Sequence, residues 1–234
     1  MVDLLVFGPH PDDIEIGLGG TVARHAALGL QVGLCDLTRG ELGSNGTPEE
    51  RRVEAQNASE VLGAVWRENL GWPDRGIAKD PSHLEHAVTF IRRHRPRVVA
   101  VPYWSDRHPD HIAASHLLTE AVSHAALRRY PAEGEAWKPE WICFYFINDA
   151  AAPSFVIDVS DHYETKRRAL DCHVSQFVRT GSGAGVDTRV NTPLFRQLVE
   201  SRDAQFGALA GVRWAEGIVV REPIVRDSLL KTPR

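Results

Sequence analysis

The chain has 234 residues, a net charge of −4, a pI near 6.3 and a hydrophobic fraction of 43%, so it can bury a large core without staples and lacks the basic excess of a nucleic-acid binder. Its three cysteines, Cys35, Cys143 and Cys172, form no Cys-x-x-Cys pair, which excludes a thiolate zinc cluster and suits a reducing, cytoplasmic setting. The opening MVDLLVFGPH has no charged leader, and no stretch nears the roughly 20 apolar residues of a membrane span, so neither secretion nor membrane insertion is expected.

In chain order, LLVFG (4–8) reads as a strand, GGTVARHAALG (19–29) as a helix ending at Gly29, and QVGLCDLT (31–38) as a second strand. Thr47-Pro48-Glu49-Glu50 has the form of a capping box with proline at the first helical position. That helix runs to Gly63 with Val53, Ala58, Val61 and Leu62 as its apolar stripe. WRENLGW (66–72) holds a weaker third strand. Ser82 with Glu85 caps a helix that carries Leu84, Val88 and Ile91 on one face and stops at Pro96. The run Arg92-Arg93-His94-Arg95-Pro96-Arg97 reads as a solvated helix end, where the helix dipole favours cations. VVAVPY (98–103), a continuous apolar run, reads as a strand buried on both faces, and a helix of roughly 20 residues starts near Pro109. WICFYFIN (141–148) and SFVIDVS (154–160) are strands without a helix between them. A helix over about 161–177, a Gly-rich loop over 180–192, a helix capped by Thr192-Pro193 and a strand near EGIVVRE follow.

Strands alternating with helices predict a three-layer, Rossmann-like α/β fold: a mostly parallel sheet with helices on both faces. No linker or repeat interrupts residues 1–234, which read as a single domain. Two short motifs, GPHPDD (8–13) and HPDH (108–111), follow the first and fourth strands. In a sheet ordered 3-2-1-4 those strands are neighbours, and ligands bind beyond their carboxyl ends. The topology therefore gathers His10, Asp12, Asp13, His108, Asp110 and His111 at one rim. Imidazoles with a carboxylate and no thiolate suit a catalytic zinc with three protein ligands; ferrous iron takes the same donors. Such a site leaves carboxylate and imidazole groups over for proton transfer, which implies metal-assisted hydrolysis of an amide or ester. Spacing does not decide which of Asp12 and Asp13 binds the metal. A nucleotide-binding turn would need Gly-x-Gly-x-x-Gly where GPHPDD places two carboxylates.

GPHPDDIEIGLGGT with SDRHPDH resembles the LmbE/PIG-L superfamily of zinc-dependent N-acetylglucosaminide deacetylases. CDLTRGELGSNGTPEERRVEAQNASEVLG, NLGWPDRGI, SQF (175–177) and WAEGIVV (214–220) are similar to its bacillithiol-biosynthesis branch. The resemblance implies His10, Asp13 and His111 as metal ligands, Asp12 as general base, His108 as the group that stabilises the tetrahedral intermediate or acts as acid, and Asp110 as its orienting partner. Arg51 matches a substrate-binding arginine. The implied reaction removes acetyl from N-acetylglucosaminyl malate; another GlcNAc substrate, a chitooligosaccharide or thiol conjugate, is the alternative. A homo-oligomer, trimer or hexamer, is implied as well. Loop 180–192 is a candidate substrate lid. Glu15 reads as an orienting group or a helix-start carboxylate, and His116 and His124 as surface or packing residues.

Overall fold

Leu4 and Val6 face one side of the first strand and Leu5 and Phe7 the other, and all four are buried, so this strand needs cover on both faces. The computed structural model describes residues 1–178, 185–225 and 228. Among them, seven strands form one sheet: β1 (Leu4–Gly8), β2 (Val32–Thr38), β3 (Trp66–Trp72), β4 (Val98–Pro102), β5 (Trp141–Tyr145), β6 (Phe155–Asp158) and β7 (Ala215–Val219). Their order is β3-β2-β1-β4-β5-β7-β6; β3 through β5 run parallel, and β7 pairs antiparallel with both β5 and β6. The expected order 3-2-1-4 is present. β5 and β6 are not partners, because β7 enters between them.

The helices are α1 (Asp13–Ala27), α2 (Pro48–Leu62), α3 (Ser82–His94), α4 (Pro109–Ala125), α5 (Tyr163–Cys172), α6 (Val174–Phe177) and α7 (Pro193–Ala210). Ala87, Val88 and Ile91 of α3 and Ala114 and Leu118 of α4 pack on the Leu5/Phe7 face. Ile14, Leu18 and Val22 of α1, Ala58 and Leu62 of α2, and Phe195 and Val199 of α7 pack on the Leu4/Val6 face.

Several local expectations are corrected. α1 begins at Asp13, six residues before the expected Gly19. Its glycines serve close packing: a Cβ on Gly17 would lie 2.3 Å from the Tyr145 ring, and one on Gly20 2.8 Å from Val159. The capping box at Thr47 and Glu50 is formed, but Val53 faces solvent while Arg51 and Ser59 are buried. Ser82 is the first helical residue of α3 rather than its cap, and its N–H donates to the Asp80 carboxylate. Arg92 is not solvated: it is buried and donates to the carbonyls of Ala125, Leu127 and Ala132. The helix expected over 161–177 breaks at His173.

Candidate active site

The chain leaves β1 at Gly8 and must turn into α1 within four residues. Thr38, at the end of β2, donates from its N–H and its hydroxyl to the Pro9 carbonyl at 3.1 and 2.9 Å and fixes the turn from one side. Asp12 takes φ 139°, a value that side-chain-bearing residues rarely adopt. It stands at the N-cap position, yet its side chain caps nothing. α1 then starts at Asp13, so the motif projects His10, Asp12 and Asp13 from the strand end and the first helical turn. In the second motif His108 caps α4, its Nδ1 accepting from the Asp110 N–H at 3.2 Å, and Asp110 and His111 lie in that helix's first turn.

β1 and β4 are neighbours, and the two motifs meet. The Asp13 Oδ2 lies 3.0 Å from His10 Nδ1 and 3.3 Å from His111 Nε2. The far nitrogen of each ring faces a carboxylate. His10 Nε2 is 3.3 Å from Asp110 Oδ2 and 3.4 Å from Asp74 Oδ1, and His111 Nδ1 is 3.1 Å from Asp106 Oδ1. The His108 ring stacks on His111, with centroids 4.6 Å apart. Nitrogen atoms of His10, His108 and His111 come within 4.8 Å of one another, close enough for side chains of this type to hold a metal ion.

Electrostatics separates the groups. Burial pushes the Asp12 carboxyl up to about 6, against the pull of Arg51. Burial also works against ionised Asp13, but His111 and His10 hold it well below the usual carboxylate range. His10 and His111 resist burial through their carboxylates; His10 lies well above the ordinary imidazole value and His111 at about 9. Burial, with His111 and His10 beside it, lowers His108 to about 4.

His10, Asp12, Asp13, Arg51, His108 and His111 line one cleft of about 280 Å³, and Asp110 stands behind His10. The Asp110 carboxylate faces His10, and the Asp110 backbone N–H donates to His108 Nδ1. Glu15 is a helix-start carboxylate, in the first turn of α1, and is fully buried against Arg67 and His173. His116 is exposed, and His124 stacks on Tyr130. Of the loop at 180–192, residues 180–184 lie outside the described residues; Val186 exchanges two hydrogen bonds with the Asn45 amide, and Arg189 and Val190 line the cleft. Asp74 and Asp106 were not among the expected site residues. Asp106 accepts from the His108 N–H two residues on, a local turn pattern visible in the sequence, whereas Asp74 reaches the site only through the loop after β3.

Residues 5–122 match the PIG-L family, described as GlcNAc-PI de-N-acetylase. The chain is 30% identical to the diacetylchitobiose deacetylase of Thermococcus kodakarensis, over 92% of this chain and 81% of that protein. It is 32% identical to 1D-myo-inositol 2-acetamido-2-deoxy-alpha-D-glucopyranoside deacetylase 2 of Saccharopolyspora erythraea, over 80% of this chain and 87% of that protein. The crystal structure of a conserved protein from Thermus thermophilus superposes with a TM-score of 0.89 at 42% identity, covering 99% of this chain and all of that one. With the two motifs joined at one rim and this likeness along its length, the chain belongs to the PIG-L family and is an N-deacetylase.

Proposed function

We propose that the cleft hydrolyses the N-acetyl group of a GlcNAc unit, with one divalent cation, zinc or ferrous iron, held by His10, Asp13 and His111. The observation that carries this reading is the single Asp13 oxygen flanked by a nitrogen of each imidazole, with a carboxylate on the far nitrogen of each ring. Two imidazoles and a carboxylate fit such an ion. When bound, it supplies Lewis acidity that lowers the pKa of water and polarises an amide carbonyl.

The chain's remaining groups divide the proton traffic. Asp12, with a pKa near 6, is suited to take a proton from the attacking water at neutral pH. His108 is neutral above about pH 4, and its Nδ1 accepts from Asp110, so the ring proton sits on Nε2. That N–H is a donor for the oxygen of the tetrahedral intermediate. The products are a free amino sugar and acetate.

The finer reading is N-acetylglucosaminyl malate as substrate, in a cytoplasmic homo-oligomer, a trimer or hexamer. Arg75, Arg107 and Arg189 line the cleft and suit an aglycone with two carboxylates. The relatives' names support a second reading, diacetylchitobiose or inositol-linked GlcNAc. Deacetylation rates on these three and on GlcNAc alone separate the two: a malate preference of at least about 100-fold is expected, and equal rates reject the malate reading while keeping the hydrolase. Asp12→Asn is expected to retain metal by elemental analysis and to lose at least about 100-fold in kcat; normal turnover would remove Asp12 as the base.

A further inference from the structure

We infer that Asn45 is a positioning residue for Arg189 and, through it, sets the preference for an anionic aglycone; this rests on the malate reading above. Arg189 and Val190 line the cleft from the stretch that leads into α7, and Leu42 and Gly43 line it from the loop after β2. The Asn45 side chain joins the two. Its Nδ2 donates to the Val186 carbonyl at 2.8 Å, and its Oδ1 accepts from the Val186 N–H at 2.8 Å. A primary amide carries donor and acceptor on one carbon, so it can grip a residue as a neighbouring strand would. Val186 is 58% exposed, so hydrogen bonds rather than apolar burial hold it here. Asn45 is itself fixed independently of this clasp, because its carbonyl accepts from Gln176 Nε2 at 2.8 Å.

From Val186 the grip reaches Arg189 through one tight turn. Buried Asn191 donates from Nδ2 to the same Val186 carbonyl at 3.0 Å and accepts from the Thr188 N–H at 3.0 Å, so the turn closes on itself around Arg189. Arg189 Nη1 donates to Asn148 Oδ1 at 2.7 Å, and its guanidinium lies 5.2 Å from the centre of the Phe195 ring. Arg107 lines the same cleft. Burial and the charge of Arg107 both disfavour the Arg189 cation, and Asp149 and Asp106 offset only part of this. A carboxylate between the two arginines relieves that repulsion and finds a planar, two-pronged donor. An arginine on an exposed turn would lose backbone and rotamer freedom when it closed on such a group. The clasp orders the turn before the ligand arrives, which favours binding without a new contact.

A double-mutant cycle tests this. Asn45→Ala removes the clasp and leaves the Gln176 contact in place. It is expected to raise KM for N-acetylglucosaminyl malate by at least about 10-fold, with kcat, and both constants on GlcNAc alone, within about twofold of wild type. Arg189→Ala is expected to show the same loss on the malate conjugate, and the double variant to lose no more than about twofold beyond either. Amide hydrogen exchange over residues 185–191 is expected to rise in Asn45→Ala. Equal losses on both substrates, an unchanged KM for the malate conjugate, additive losses in the double variant or unaltered exchange would each overturn the inference. A wild type with no preference for the malate conjugate over GlcNAc would instead sink the malate reading on which it rests, whereas a preference that survives in Asn45→Ala sinks this inference alone.

Discussion

Asp106 acts on both histidines of the second motif: Oδ1 accepts from the His108 N–H at 2.8 Å and lies 3.1 Å from His111 Nδ1, while Oδ2 accepts from the Asn148 N–H. A carboxylate on the far nitrogen of a ligating imidazole fixes the tautomer and the ring plane. If His111 holds the cation as proposed, Asp106→Asn is expected to weaken divalent-metal binding by about 10- to 100-fold, read by competition with a chromophoric chelator; unchanged affinity would show that Asn148 and the α4 cap suffice. The residues that gather at the site were largely legible in sequence, because His10, Asp12, Asp13, His108 and His111 sit directly after two strands whose adjacency follows from the strand–helix order. Their mutual orientation was not. Asp110 was expected as the partner of His108; its backbone N–H donates to His108 Nδ1, while its carboxylate lies beside His10. Asp74 carries no local signal, since its place beside His10 depends on a loop closing across strands.

At the level of elements, α1 is held by buried ions. Lys166 of α5 is fully buried, with Nζ 2.7 Å from both Asp203 of α7 and Glu216 of β7. Glu216 also accepts from the Gly20 and Thr21 N–H groups of α1, and Arg202 donates to the Ile16 carbonyl. Removing one member leaves uncompensated charge in the core. Lys166→Met is expected to cost about 3–5 kcal/mol in urea unfolding, whereas Arg52→Ala, which breaks only an exposed pair with Glu49, should cost under about 1 kcal/mol. Comparable losses in the two variants would remove the argument. The helix was expected from Gly19 and starts six residues earlier; Gly17, Gly19 and Gly20 all lie within it, where contact with Tyr145, Lys166 and Val159 requires their small size. The capping box of α2, by contrast, depends on neighbours three residues apart and was readable.

Across the whole molecule, a second buried cluster fastens α1 to the opposite half of the sheet. Arg67 of β3 pairs with Glu15 of α1 and Asp36 of β2. Burial disfavours the charge on Glu15, but Arg67 and His173 outweigh it and lower its pKa from 4.5 to about 2. A depressed carboxylate contributes stability that is fully present above its unfolded value and is lost as pH falls from about 4.5 towards 2. Asp36, raised by burial, works in the opposite sense and softens the change. The urea midpoint of the wild type is expected to fall between pH 5 and pH 3, and Glu15→Gln should flatten that slope; an equal slope in the variant would assign acid sensitivity elsewhere. The parallel half of the sheet followed from the alternation of strands and helices. The insertion of β7 did not, since nothing local in a short apolar run tells which gap it fills.

That insertion has a consequence for how the protein is made. While the ribosome is still producing α7, β5 and β6 are out but the strand that joins them is not, so β6 has no place in the sheet. The Glu216 carboxylate that grips the middle of α1 is missing too. Contacts between residues about 195 positions apart are slow to form and leave strand edges open meanwhile. The turn bearing Asp12 is thus synthesised long before the strand whose carboxylate fixes its supporting helix.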